Sequence, residues 1–223
     1  SGSSDTTFRN TLLNLFVHYS AARASGLSCA ESEHHIRTGV LVSGDDSLAL
    51  STTVSAETIA ASYGMTLTGR TYTSGATTFL GRLYPNPYVG GGNIADLRRF
   101  LKSFHLISKI QGFSLSESMS QKAFGRLVND RRTPLLTAYC EAVLRQYPCA
   151  GLDARFFDKW SYEALSSGNN YSSGGFSDDE LRVAAIENIG IDSTAFALLQ
   201  KSMETLVPSP GSVYPTLSPV MFK

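Results

Sequence analysis

Over residues 6–24 the apolar positions Phe8, Leu12, Leu13, Phe16, Val17 and Tyr19 recur at helical spacing, with Ser25-Gly26 as a stop signal. This predicts an amphipathic helix whose apolar stripe is its buried face. A polar stretch with His34 and His35 follows and reads as a surface loop, since no third ligand stands at metal-binding spacing. The period then shortens. Gly39-Val40-Leu41-Val42 and Leu48-Ala49-Leu50 flank Ser43-Gly44-Asp45-Asp46-Ser47, two apolar runs around a Gly-Asp turn, which is a β-hairpin signature. Ser55 can cap a helix through Tyr63 closed by Gly64, residues 65–68 read as extended, and residues 77–84 carry the β-branched and aromatic bias of a strand.

Pro85-Asn86-Pro87 and Gly90-Gly91-Gly92 form a breaker cluster that marks a boundary, and helical periodicity dominates beyond it. Asn93 is positioned to cap a helix with Ile94, Leu97, Leu101 and Phe104 in register. Ser114 with Glu117 and Ser177 with Glu180 read as capping boxes. Thr133-Pro134 reads as a helix start, residues 152–165 as a further helix, and Asp192 or Ser193 as the start of a last one reaching Leu206. Phe100, Phe104, Tyr139, Phe156, Phe157 and Trp160 read as helical core rather than base-stacking platforms. Residues 208–223 hold four prolines without periodicity and read as disordered. The pattern predicts an α+β fold in three parts: 1–89 mixed, 90–207 helical, 208–223 a tail.

Composition is that of a globular protein: of 223 residues 42% are apolar and 17% charged, and no run approaches the roughly 18 uninterrupted apolar residues of a membrane span. Nineteen cations balance nineteen acids, which alone argues against a polynucleotide partner. The sum conceals an asymmetry. Residues 82–147 carry ten Lys or Arg against four Asp or Glu, and residues 148–223 five against nine. Cys29, Cys140 and Cys149 are odd in number and lack zinc-site pairing, so they read as buried thiols in a reducing compartment. The chain opens on Ser1 rather than Met, inside an organised segment, and reads as part of something longer.

Two adjacent carboxylates at a hairpin tip repel and raise each other's pKa unless a cation neutralises them. A divalent cation does so, and Mg²⁺ favours a few carboxylates together with substrate phosphates, so Asp45 and Asp46 suit phosphoryl chemistry. A solvated Gly-Asp turn is the plain alternative. Thr6 and Asn10, one helical turn apart, can read a sugar; the plain alternative is simple capping, with Ser4 or Asp5 as the N-cap and Asn10 solvated.

The order Ser1-Gly2-x-x-x-Thr6-x-x-x-Asn10 at a helix start, then an apolar-flanked Gly44-Asp45-Asp46 hairpin, resembles motifs B and C of viral RNA-dependent RNA polymerases. Residues 55–70 are similar to motif D, and Thr78-Phe79-Leu80-Gly81-Arg82-Leu83-Tyr84 to the motif E strand. Phe79-Leu80-Gly81-Arg82 and Asn129-Asp130-Arg131-Arg132-Thr133-Pro134-Leu135-Leu136 look most like nodavirus and noda-like replicases. The resemblance covers residues 1 to about 146. It implies a partial right-hand palm followed by a mostly helical thumb, with Asp45 and Asp46 as catalytic metal ligands for Mg²⁺ or Mn²⁺. It further implies that Ser1, Gly2, Thr6 and Asn10 line the nucleotide site, and that Gly81 and Arg82 grip the product strand. Arg70 stands where motif D often has a proton-donating Lys; with a pKa above 12, Arg suits an electrostatic role better.

Absent are the motif A aspartate and the basic motif F residues that normally precede motif B. The resemblance therefore implies a polymerase fragment, inactive alone, that needs an N-terminal half besides RNA template, RNA product and nucleoside triphosphates. It also implies cytoplasmic replication complexes at host membranes, reached through that other half. A non-enzymatic α+β module binding RNA or protein is the competing expectation.

Overall fold

A computed structural model describes residues 5–69, 75–87, 92–104, 106–107, 110–167 and 174–208. The chain divides into two compact units, 1–73 and 74–223.

The first unit is built on helix α1 (Thr6–Ala24), against which pack α2 (Cys29–Gly39), the hairpin strands β1 (Val40–Ser43) and β2 (Asp46–Ala49), and α3 (Ala56–Ser62). The helix lies where periodicity predicts it, but of the predicted stripe only Val17 is fully buried. Its buried residues are Asn14, Val17, His18, Ala21 and Ala22, whereas Phe8 is 64% exposed and Leu12, Leu13 and Phe16 are exposed too. The cause is the neighbouring backbone. Thr11, Asn14 and Ser25 accept from or donate to main-chain groups of the turn at 44–45 and of Val54, and buried main-chain groups must find such partners. Small side chains at Ala21 and Ala22 admit the adjoining elements closely. Of the displaced apolar stripe, Phe16 keeps one aromatic neighbour, Tyr63, with ring centroids 5.6 Å apart.

Residues 29–39, expected as loop, are helix α2. Its start was written in the sequence as Ser28-x-x-Glu31: Ser28 accepts from the Glu31 amide while the Glu31 carboxylate accepts from the Ser28 amide. His34 and His35 thus lie on a helix. The predicted hairpin is present, antiparallel, with Val40 opposite Ala49 and Ser43 opposite Asp46. Its two-residue loop places Gly44 at φ +65° and leaves Asp45 at negative φ, the arrangement of a type II′ turn that requires glycine at its first position. Ser55 caps α3 as expected, and residues 65–68 join no sheet ladder.

The second unit opens on an antiparallel sheet of β3 (Thr77–Phe79), β4 (Arg82–Tyr84) and β5 (Ile94–Ala95). Residues 77–84 are therefore two strands rather than one, reversing at Leu80 (φ 51°) and Gly81 (φ 72°), both left-handed as a type I′ turn demands. Holding leucine there costs roughly 1–2 kcal/mol. The breaker cluster at 85–92 connects β4 to β5 within this sheet, because Leu83 and Ile94 share a cluster with Leu181 and Ala184. Asn93 caps no helix. Asp96 does, accepting the amides of Arg98 and Arg99 to open α4 (Leu97–Ser103).

Beyond it run α5 (Leu115–Asp130), α6 (Leu136–Gln146), α7 (Lys159–Ser166), α8 (Asp178–Ile189) and α9 (Ser193–Thr205). Both predicted capping boxes, at Ser114 and Ser177, are formed, and Asp192 caps α9. The core joins Phe100, Phe104, Tyr139, Val143, Phe196 and Leu199, with the Phe104 and Tyr139 rings meeting edge-on at 4.5 Å. Helix α6 begins two residues later than Thr133-Pro134 suggests. Leu135 adopts φ 62°, ψ −47°, and the Leu136 amide donates to the Pro134 carbonyl at 2.7 Å, a γ-turn of the rare positive-φ kind. Full burial of Leu135 holds this strained turn in place. Helix α7 starts only at Lys159, capped by Asp158, since residues 153–156 form a turn closed by Phe156 N–H donating to Asp153 O.

Of the cysteines, only Cys140 is fully buried, which pushes its thiol up to about 12, whereas Cys29 is exposed and Cys149 half-buried. The side chain of Trp160 and the tail 209–223 lie outside the described residues.

Candidate active site

The Gly44-Asp45 turn lies along the first turns of α1. A methyl group on Gly44 would stand 3.8 Å from Thr7 Cγ2. The Gly44 amide donates to Thr11 Oγ1 at 2.9 Å, and Asn14 Nδ2 donates to the Asp45 carbonyl at 3.0 Å and the Gly44 carbonyl at 3.4 Å. One turn further, His18 Nε2 is 3.0 Å from Ser47 Oγ. Gly44 is buried by these contacts while Asp45 and Asp46 are exposed beside it. The main chain of the turn is thus fixed from below and its two carboxylates stand in solvent.

Their donor set is hard oxygen, adjacent and acidic, and neither carboxylate is neutralised by an ion pair among the described residues. That chemistry fits a divalent cation of the Mg²⁺ or Mn²⁺ kind. No third His, Cys, Asp or Glu joins them among the described residues. Two carboxylates fall short of a complete coordination set.

Thr6 opens α1 and Asn10 lies one turn on, both partly exposed and at the end of the helix where the turn sits. Ser1, Gly2 and Arg70 lie outside the described residues. In the second unit Gly81 and Arg82 part ways. Arg82 turns inward: Nε donates to Asn93 Oδ1 at 2.7 Å, and Nη2 lies 2.7 Å from Asp130 Oδ1, with the two ion-pair side chains only 12% and 2% exposed. The exposed turn at Leu80-Gly81 instead has Arg99 over it, its Nη1 2.9 Å from the position of a Gly81 Cβ. Sequence reasoning missed Thr11, Asn14 and His18 at the first site and Arg99 at the second. The available signals were polar residues at 11, 14 and 18, one face of an otherwise apolar helix, and a basic pair in the first turn of α4.

The basic middle segment is less free than its count suggests. Arg82 pairs with Asp130 and Arg132 with Asp178, Lys122 donates to the Ser103 and Leu106 carbonyls, and Arg145 to the Glu204 carbonyl. Arg98, Arg99, Lys102, Arg126 and Arg131 remain exposed.

His18 gives the first unit a pH dependence. Burial, and then the proximity of His35 on α2, hold its imidazole below its ordinary value of 6.5, while Glu57 on α3 acts weakly in the opposite sense. The unfolded chain then binds the proton more readily, so stability is lost as pH falls through 6.5 toward the folded value and levels off below it. Thermal melts from pH 7.5 to 5 are expected to fall over that window, and His18→Gln to flatten the fall; parallel curves for the two proteins would refute the assignment.

No family model matches the chain. Curated relatives do. Over 155 residues, 69% of this chain and 15% of the relative, it is 30% identical to the RNA-directed RNA polymerase of Nodamura virus. It is 32% identical to that of Black beetle virus over 149 residues, 66% of this chain, and 32% identical to that of Greasy grouper nervous necrosis virus over 150 residues, 65% of this chain. The chain spans 15% of the length of each. Across about two thirds of its own length, this chain is a relative of the nodavirus RNA-directed RNA polymerases.

Proposed function

We propose that the chain is a segment of a viral RNA-dependent RNA polymerase, a partial palm followed by a mostly helical thumb. The observation that carries this reading is Gly44-Asp45-Asp46 at the tip of a tight hairpin, held along the helix that opens at Thr6. In the reaction a primer or product 3′-hydroxyl attacks the α-phosphorus of a nucleoside triphosphate, and pyrophosphate leaves. Mg²⁺ or Mn²⁺ ions, when bound, offset charge on the attacking and leaving oxygens. Asp45 and Asp46 are the catalytic residues that hold them. Ser1 and Gly2 line the nucleotide site, and Thr6 and Asn10 contact the ribose, whose 2′-hydroxyl both donates and accepts.

Arg70 serves electrostatically. The Gly81 turn meets the product strand, with the phosphate-binding charge coming from Arg99 and its neighbours Arg98 and Lys102; Arg82 instead braces the turn from inside. Two carboxylates cannot hold both ions, so the segment works with an N-terminal half bearing a further aspartate and the basic triphosphate-binding residues. The exposed Phe8, Leu12, Leu13 and Phe16 are the kind of apolar surface that such a half covers. RNA template and product are its partners, and cytoplasmic replication complexes at host membranes its setting.

Ferrous ion, which substitutes for Mg²⁺ and cleaves nearby backbone in the presence of ascorbate and peroxide, provides the test. Cleavage of the 223-residue chain is expected near residues 44–47 and is expected to vanish with Asp45→Asn. Cleavage elsewhere only, together with salt-dependent RNA binding that Asp45→Asn leaves intact, would favour a non-enzymatic RNA-binding module.

A further inference from the structure

The polar stripe of α1 contributes more than burial. Thr11, Asn14 and His18 succeed one another at intervals of three and four residues, so they stand on one helix face. Each engages a different group of the aspartate turn: Thr11 the Gly44 amide, Asn14 the Gly44 and Asp45 carbonyls, His18 the Ser47 hydroxyl. The polarity of the first two rungs is fixed. The Thr11 hydroxyl spends its single proton on the Thr7 carbonyl at 2.7 Å, so toward Gly44 it can only accept. The Asn14 amide nitrogen can only donate. An acceptor therefore meets the turn's N–H and a donor meets its carbonyls, an arrangement that suits this turn conformation and no flipped peptide. Gly44 and Asp45 are held directly and Ser47 is held on the far side of Asp46.

We infer that Thr11, Asn14 and His18 form a positioning ladder that locks the backbone of the Gly44-Asp45-Asp46 turn and so aims its two carboxylates. The inference rests on the polymerase reading for its purpose, but its geometry belongs to this chain alone. None of the three residues touches substrate; they act through the turn.

Thr11→Val is the sharpest probe. It keeps the β-branched shape at a half-buried position and removes the hydroxyl, and with it both the acceptor toward Gly44 and the bond to the Thr7 carbonyl within α1. By hydrogen exchange on the 223-residue chain, the Gly44 amide is expected to exchange at least about tenfold faster, with core amides of α1 unchanged. Mn²⁺-induced broadening of the Asp45 and Asp46 amide signals is expected to need about fivefold more Mn²⁺, the loss of roughly one hydrogen bond's contribution. Thr11→Ser, which restores the oxygen, should return both readouts to the parent values. Asn14→Asp, isosteric but setting a carboxylate against two carbonyls, should repeat the Thr11→Val result and serves if that variant does not fold. Gly44 exchange unaltered in the folded variant would overturn the ladder. Absence of Mn²⁺ broadening at Asp45 and Asp46 in the parent would instead count against the metal reading, and Gly44 exchange would still judge the ladder.

Discussion

Asp130→Ala is expected to lower the stability of the second unit by about 3–5 kcal/mol, the cost of leaving one member of a buried ion pair without its partner. Asp130 is the last residue of α5, where a negative charge opposes the helix dipole, and it is 2% exposed at the side chain. Neither circumstance favours an aspartate. Arg82 compensates for both, with Nη1 and Nη2 at 3.0 and 2.7 Å from the two carboxylate oxygens and Nε on Asn93. The same carboxylate stands 3.5 Å from Thr133 Oγ1, which accepts the Ala95 amide. One carboxylate thus links β4, β5 and the end of α5. Urea unfolding measures the loss as a lower midpoint at unchanged slope. The double replacement Arg82→Met with Asp130→Leu should recover most of it, because apolar residues of similar volume leave no charge stranded. A single replacement costing under 1 kcal/mol would mean the pair is solvated.

Asp45→Asn should have the largest effect on chemistry. Asparagine preserves size and the exposed position in the turn and removes the negative charge. If Asp45 holds a catalytic cation, several kcal/mol of transition-state stabilisation go with it, and at 1.36 kcal/mol per decade that is on the order of 10³ in rate. The measurement is primer extension by Nodamura virus polymerase carrying this chain in place of the segment it matches, with and without the substitution. Activity of the Asp45→Asn graft within tenfold of its parent would remove Asp45 from the metal site. RNA affinity should change little in either case, because its exposed cations, Arg98, Arg99 and Lys102 among them, lie elsewhere in the sequence.

Most local signals read well from sequence, with Asn93, which caps no helix, and the overlooked Ser28-Glu31 box as exceptions, whereas signals that depend on a distant partner did not. Ser114, Ser177, Ser55 and Asp192 cap the helices they were expected to cap, because a cap is satisfied within three residues of itself. The Gly-Asp hairpin was legible for the same reason. The buried face of α1 was not. Hydrophobicity assigned it to Phe8, Leu12 and Phe16, but a hairpin more than thirty positions later presents main-chain groups that only Thr11 and Asn14 can answer. Residues 77–84 read as one strand because Leu80 carries no turn signal; Gly81 supplies half of a reversal and leucine tolerates the other half. Arg82 looked like a surface cation because its acid lies 48 positions away, and its inward direction moves the exposed charge of that hairpin to Arg99.

The II′ loop of the aspartate hairpin has a further consequence for which changes this protein can accept. In a two-residue loop, strand pairing and loop length are one quantity, and side chains alternate faces with each step. Where the two-residue loop is kept, one residue inserted between Ser43 and Asp46 shifts the register by one, sending Ser47 to the opposite face from His18 and exchanging the sides on which Asp46 and its neighbours project. A substitution in the loop alters one group; an insertion rearranges all of them. A change of length in this hairpin therefore disturbs the turn's bonds to Thr11, Asn14 and His18 together, whereas a substitution at either carboxylate leaves them in place.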